Sequence, residues 1–100
     1  MKGSHSVSVL QGKVKECYIT GSTDNIEKHH CFFGVKNRTT SDKYGFFVYL
    51  TAEMHRGTNG VHGINGHELD MKLKQDCQRQ FEADGHTREE FVALIGKNYL

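Results

Sequence analysis

The division of the chain between glycine-punctuated and helix-periodic halves constrains its fold more than any other feature. Seven of the eleven glycines lie between residues 13 and 66, where they interrupt short apolar runs, and only two lie in 67–100. From Glu68 onward, Leu69, Leu73, Cys77 and Phe81 recur at intervals of four, with Lys72, Lys74 and Gln75 keeping the stripe narrow. That spacing predicts an amphipathic helix over 68–83, stopped by Asp84-Gly85. Thr87 followed by Glu90 is a capping-box pattern, and Phe91, Leu94 and Ile95 supply the apolar face of a second helix ending before Gly96. The final GKNYL is expected to fold back, packing Tyr99 and Leu100 on the domain. Strands and loops come first and helices last, which makes the class α+β.

In the first half, VKECYI (14–19) alternates roughly and ends at Thr20-Gly21-Ser22, as a short strand closing in a turn would. HHCFFGV (29–35) and GFFVYL (45–50) predict two further strands, the latter the stronger because it is aromatic and β-branched. Between them, Thr40 or Ser41 is placed to cap a single helical turn ending at Gly45. RGTNGVHGINGHE (56–68) reads as a loop with several positive-φ positions. Residues 1–12, rich in Gly and Ser, are expected to form a flexible tail, leaving one domain over 13–100.

Composition removes several function classes. Thirteen Lys and Arg against twelve Asp and Glu give a formal net charge of +1, so any nucleic-acid contact must come from a local patch. Three cysteines at irregular spacing do not make a disulfide scaffold, and no apolar stretch approaches the length of a membrane span. The N-terminus lacks a secretory pattern, so a cytoplasmic protein with reduced thiols is expected. Cys31 and Cys77 fall in apolar patterns and read as buried small hydrophobes. Cys17-Tyr18-Ile19-Thr20 begins like a zinc knuckle, but Thr20 occupies the second thiolate's place.

Histidine is the residue type that points to chemistry. Five of the seven, His29, His30, His55, His62 and His67, lie between positions 29 and 67. Neutral imidazole is a good ligand for divalent metals and titrates near neutrality, so one cluster can supply both ligands and a general base. Adjacent histidines on a strand point to opposite faces, which separates the roles of His29 and His30. Spacing alone leaves the choice between His62 and His67 open.

The strings KHHCFFGVKNR (28–38), SDKYGFFVYLTAEMHRGTNGVH (41–62), ELDMKLKQDCQRQFE (68–82) and REEFVALIGKNYL (88–100) resemble a group of small phage and prophage proteins related to the HNH (His-Me finger) endonucleases. The resemblance implies a ββα-metal core holding one divalent ion (Zn, Mg, Mn or Ni) and metal-dependent hydrolysis of DNA phosphodiester bonds. It implies His29, His55 and His62 as metal ligands and His30 as the general base that activates water. It makes Asn37 the substitute for the family's base-orienting Asn, whose usual place reads Phe46 here. Thr20, Thr51 and Met54 stand where the family's zinc-knuckle cysteines are expected. Lys36, Arg38, Lys43 and Arg56, near the site, are expected to contact DNA phosphates. The alternative that it implies is a catalytically inactive HNH-like module binding nucleic acid or protein in phage recombination, replication or packaging.

Overall fold

The β-branched and aromatic residues of FVYLT form a strand, β2 (Phe47–Thr51), which pairs antiparallel with β1 (Ile26–His30) from Ile26↔Thr51 to His30↔Phe47. The structure, a computed structural model, describes residues 7–33 and 35–100, and of residues 35 and 36 the backbone alone. Between the strands runs α1 (Val35–Tyr44), and β2 passes directly into α2 (Ala52–Arg56), N-capped by Thr51, whose hydroxyl accepts the Met54 N–H at 3.2 Å. After a glycine-rich coil come α3 (His67–Ala83) and α4 (Arg88–Ile95). The architecture is α+β, a two-stranded antiparallel sheet with helices.

The two C-terminal helices follow their sequence signals. Leu73, Cys77 and Phe81 are buried along α3, and α4 starts with the full Thr87/Glu90 capping box and ends at Gly96 with φ 99°. Their apolar faces meet Phe32 and Phe46 from the sheet side in a cluster of four phenylalanines, with ring centroids 5.5–5.9 Å apart across the Phe32–Phe46, Phe32–Phe91, Phe46–Phe81 and Phe81–Phe91 contacts. Such tilted and edge-to-face pairs are favoured by the ring quadrupole. Tyr99 folds back onto Phe32 at 5.5 Å, held by the buried Gln78, which accepts the Tyr99 N–H at 2.8 Å; Leu100 remains 39% exposed.

The first half departs from its expected elements in four places. Residues 14–19 are not a strand: the Cys17 N–H bonds Ser22 O and the Gly21 N–H bonds Cys17 O, closing the segment on itself. The run expected as a strand over 29–35 leaves the ladder after His30, because the Ser41 hydroxyl takes both the N–H and the carbonyl of Phe32. Ser41 is thus not a cap but an interior residue of α1, which is ten residues long and not a single turn. VKNRTTSDKY has no apolar stripe to announce it; Gly45, with φ 78°, does end it as expected. Last, none of the glycines at 57, 60, 63 and 66 has a positive φ.

Of the expected tail over 1–12, residues 1–6 lie outside the described residues. Ser8 is buried and donates its hydroxyl to Phe47 O, the Val9 N–H bonds Gly45 O, and Gln11 Oε1 accepts the Tyr49 N–H. With the Tyr18 N–H on Tyr49 O, these contacts cover the outer edge of β2, which would otherwise offer free ladder groups.

Candidate metal centre

His29 and His30 are the last two residues of β1, where His29 is buried and His30 half-buried, and both line one cleft although alternation along a strand would separate them. His29 is 2% exposed, and its Nε2 is buried without a hydrogen-bond partner. Such an atom is costly in a folded interior unless something fills its valence. Two further imidazoles face it: the ring centroids of His29, His55 and His62 are 5.1, 5.1 and 4.9 Å apart, and a ligand nitrogen from each lies within 4.8 Å of the others.

His55 is on α2 and His62 in the coil that follows, and the backbone explains why they meet. Val61, His62 and Asn65 donate their N–H groups to Met54, His55 and Thr58, a repeated step of seven residues. Gly60, Gly63 and Gly66 each donate to the glycine three residues earlier. The coil is wound so tightly that a Cβ on Gly63 would run into Gly57 O, and one on Gly66 into Gly60 O. The glycines are there for close backbone approach, not for left-handed φ. Glycine at every third position from 57 to 66 is the sequence signal that could have placed His62 over His55. His67, the rival ligand, begins α3 and is not in the cluster.

Glu27, which the sequence reading missed, orients His55. It sits two residues before His29 on the same strand, and its Oε1 is 2.7 Å from His55 Nδ1. Arg56 holds the carboxylate from the other side, Nε to Oε1 at 3.0 Å and Nη2 to Oε2 at 2.6 Å. The hydrogen bonds of Arg56 and His55 depress the Glu27 carboxyl to about 2, so it is ionised and accepts from Nδ1–H, which makes Nε2 the His55 nitrogen that a metal would take. This carboxylate–imidazole pairing is the usual outer shell of a metal-binding histidine. Arg56, expected to contact DNA, is engaged in this pairing.

Electrostatics favour the neutral form of His29 and His62. Burial, followed by the neighbouring His55 and His62, pushes His29 down to about 3, and burial also lowers His62. Neutral imidazoles are what a metal requires. A Zn–N distance of about 2.0–2.1 Å can be met from three rings this close with modest side-chain movement. The orphaned Nε2, the donor set and the fixed His55 tautomer all fit a divalent ion. His62 is the exposed member, so the cluster opens to solvent on its side.

His30 lines the same cleft, of about 540 Å³, with Lys28, Phe33 and Arg38. Its Nε2 is 3.2 Å from Asp42 Oδ1, which also takes Lys28 Nζ at 2.6 Å. Burial works to raise the Asp42 pKa, but the bonds from Lys28 and His30 outweigh it and lower the group. Asp42 thus occupies the orienting position assigned to Asn37, which lies on α1 and does not bond His30. Arg38 reaches both this cleft and an adjoining hollow lined by His30, Thr39, Asp42 and Lys43. Among the described residues neither Arg38 nor Lys43 forms an ion pair; the Lys36 side chain lies outside the described residues.

Cys17, Cys31 and Cys77 are all buried free thiols, and the Thr20 N–H points at Cys17 Sγ from 3.4 Å. Among the described residues the three histidines are the cluster suited to a metal, and no helix is long and apolar enough to cross a membrane. Comparison with family models, with curated proteins and with solved structures finds no match for this chain.

Proposed function

We propose that this chain is a metal-dependent DNA phosphodiester hydrolase of the HNH (His-Me finger) kind, phage- or prophage-encoded and acting in the cytoplasm. The observation that carries the reading is the buried, unpartnered Nε2 of His29 facing two more imidazoles. The strands β1 and β2 followed by α2, with α1 inserted between the strands, a His pair ending the first strand and a further histidine on α2, support it. In this reading His29, His55 and His62 hold the ion, which when bound supplies Lewis-acid stabilisation to a phosphoryl oxygen and the leaving 3′-oxygen. His30 is the general base: Asp42, ionised, accepts its Nε2–H and leaves Nδ1 to take a proton from the attacking water. Arg38 and Lys43 bind phosphates flanking the scissile one, across the two adjoining hollows.

A plasmid-nicking assay with Zn²⁺, Mn²⁺, Ni²⁺ and Mg²⁺, run beside metal-binding titrations, tests the reading. His30→Ala is expected to lose about 10²–10⁴-fold in cleavage while still binding metal, whereas His29→Ala loses both. Cleavage that survives His30→Ala overturns the mechanism. Metal-loaded protein that binds DNA without cutting it shows the inactive binding module instead.

A further inference from the structure

The wall of the cleft carries an aromatic ring that metal chemistry does not require. Phe33 is 44% exposed although it sits in the cleft, with its ring centroid 6.1 Å from His29 and 5.4 Å from His62. Both imidazoles meet it at tilts of 57–58°, so neither stacks on its face. Lys74 Nζ lies 4.6 Å from the ring centroid and is held by Asp70 Oδ2 at 2.9 Å. The Lys74 side chain is only 13% exposed, so this brace belongs to the built interior and is not a passing surface contact. A braced, partly bare aromatic ring beside phosphate-binding cations is the recurrent means of holding unpaired bases, since every base offers a π-face.

We propose that Phe33 is a stacking platform for an unpaired nucleobase next to the phosphodiester, and that the preferred ligand is single-stranded DNA. The inference rests on the phosphodiester reading of the same cleft. In a duplex both faces of each base are already stacked, so a ring fixed in the cleft wall can engage only a base that is free of its helix. The backbone would then run past Arg38, with its phosphate toward the histidine cluster.

The test uses the full chain loaded with zinc, a short single strand carrying 2-aminopurine, and the blunt duplex of the same sequence. Wild type is expected to bind the single strand more tightly and to quench the 2-aminopurine. Phe33→Ala is expected to lose about tenfold in single-strand affinity and to abolish the preference, while Phe33→Tyr keeps both; thermal unfolding checks that the variants are folded. Equal affinity of wild type for the two forms, or an unchanged affinity ratio in Phe33→Ala, overturns the inference. Absence of binding to either form overturns it together with the phosphodiester reading. Binding without cleavage removes only the catalysis, and the affinity ratio still decides for or against the platform.

Discussion

At the scale of single residues, the candidate site depends as much on two carboxylates as on the histidines they touch. Glu27 fixes His55 through Nδ1, and Asp42 fixes His30 through Nε2. Removing the charge in Glu27→Gln is therefore expected to weaken zinc binding by about 10–100-fold, as loss of an outer-shell partner usually does; a chelator-competition titration measures it. The metal-free protein should also show a pH signature of His29. In the unfolded chain this residue takes its proton near 6.5, but in the fold not until about 3. Between those values the unfolded state binds more protons, so stability is complete above pH 6.5 and falls as the pH drops toward 3. The slope approaches about 1.4 kcal/mol per pH unit for one proton. The Glu27 contribution follows the same sign over a lower window, from 4.5 to about 2. Thermal unfolding in chelator across this range is the check, and a flat profile would contradict the burial argument for His29.

Among the elements, the coil between α2 and α3 and the start of α4 make a useful contrast, because one builds the site and the other only the fold. Gly63→Ala pushes a methyl into Gly57 O and must unwind the seven-residue step that stacks His62 on His55. It is expected to cost about 1–3 kcal/mol in stability and to abolish tight zinc binding. Thr87→Ala removes the hydroxyl that accepts the Glu90 N–H at 3.1 Å, with a loss of about 1 kcal/mol and wild-type zinc affinity. Denaturant unfolding with parallel zinc titrations separates the two outcomes. The element that holds Asp42 and Arg38, α1, has its polar face turned to chemistry: Ser41 anchors it to Phe32, and Asp42 beside it reaches Lys28 and His30.

For the molecule as a whole, a domain of 100 residues has little stability to spare, so a ligand bound by three elements at once should be visible in its melting. The histidine cluster joins β1, α2 and the coil leading into α3. Zinc at a hundredfold excess over Kd is expected to stabilise the fold by about 2.7 kcal/mol, which for a chain of this size raises the melting temperature by roughly 10 °C or more. EDTA should reverse it. A melting temperature indifferent to metal would mean that the three imidazoles are packing groups alone.

The helical half was legible in the sequence because its determinants are local. A four-residue apolar spacing gives α3 its buried face, and Thr87, Glu90 and Gly96 mark the ends of α4 within a few residues of the chain. The third apolar run was accessible in the same way, since aromatic and β-branched residues favour strands, but its partner β1 lies mostly before the second run and shares only His29 and His30 with it. The histidine pair could be assigned to a strand end, but alternation alone did not reveal that both histidines line one cleft. What joins these pieces into a site was not legible. Glu27 meets His55 across 28 positions and Asp42 meets His30 across 12, and α1 forms without an apolar stripe because Ser41 and Asp42 are bound from outside it. The glycine spacing over 57–66 carries the signal that His62, and not His67, completes the cluster, but its meaning depends on how closely glycine backbones stack in three dimensions. Short-range propensity therefore determined the α3 and α4 helices, the strand β2 and the chemistry on offer. The tertiary structure alone decided which imidazoles share one cleft and which carboxylates hold them, because those contacts are selected by burial and backbone approach between segments remote in sequence.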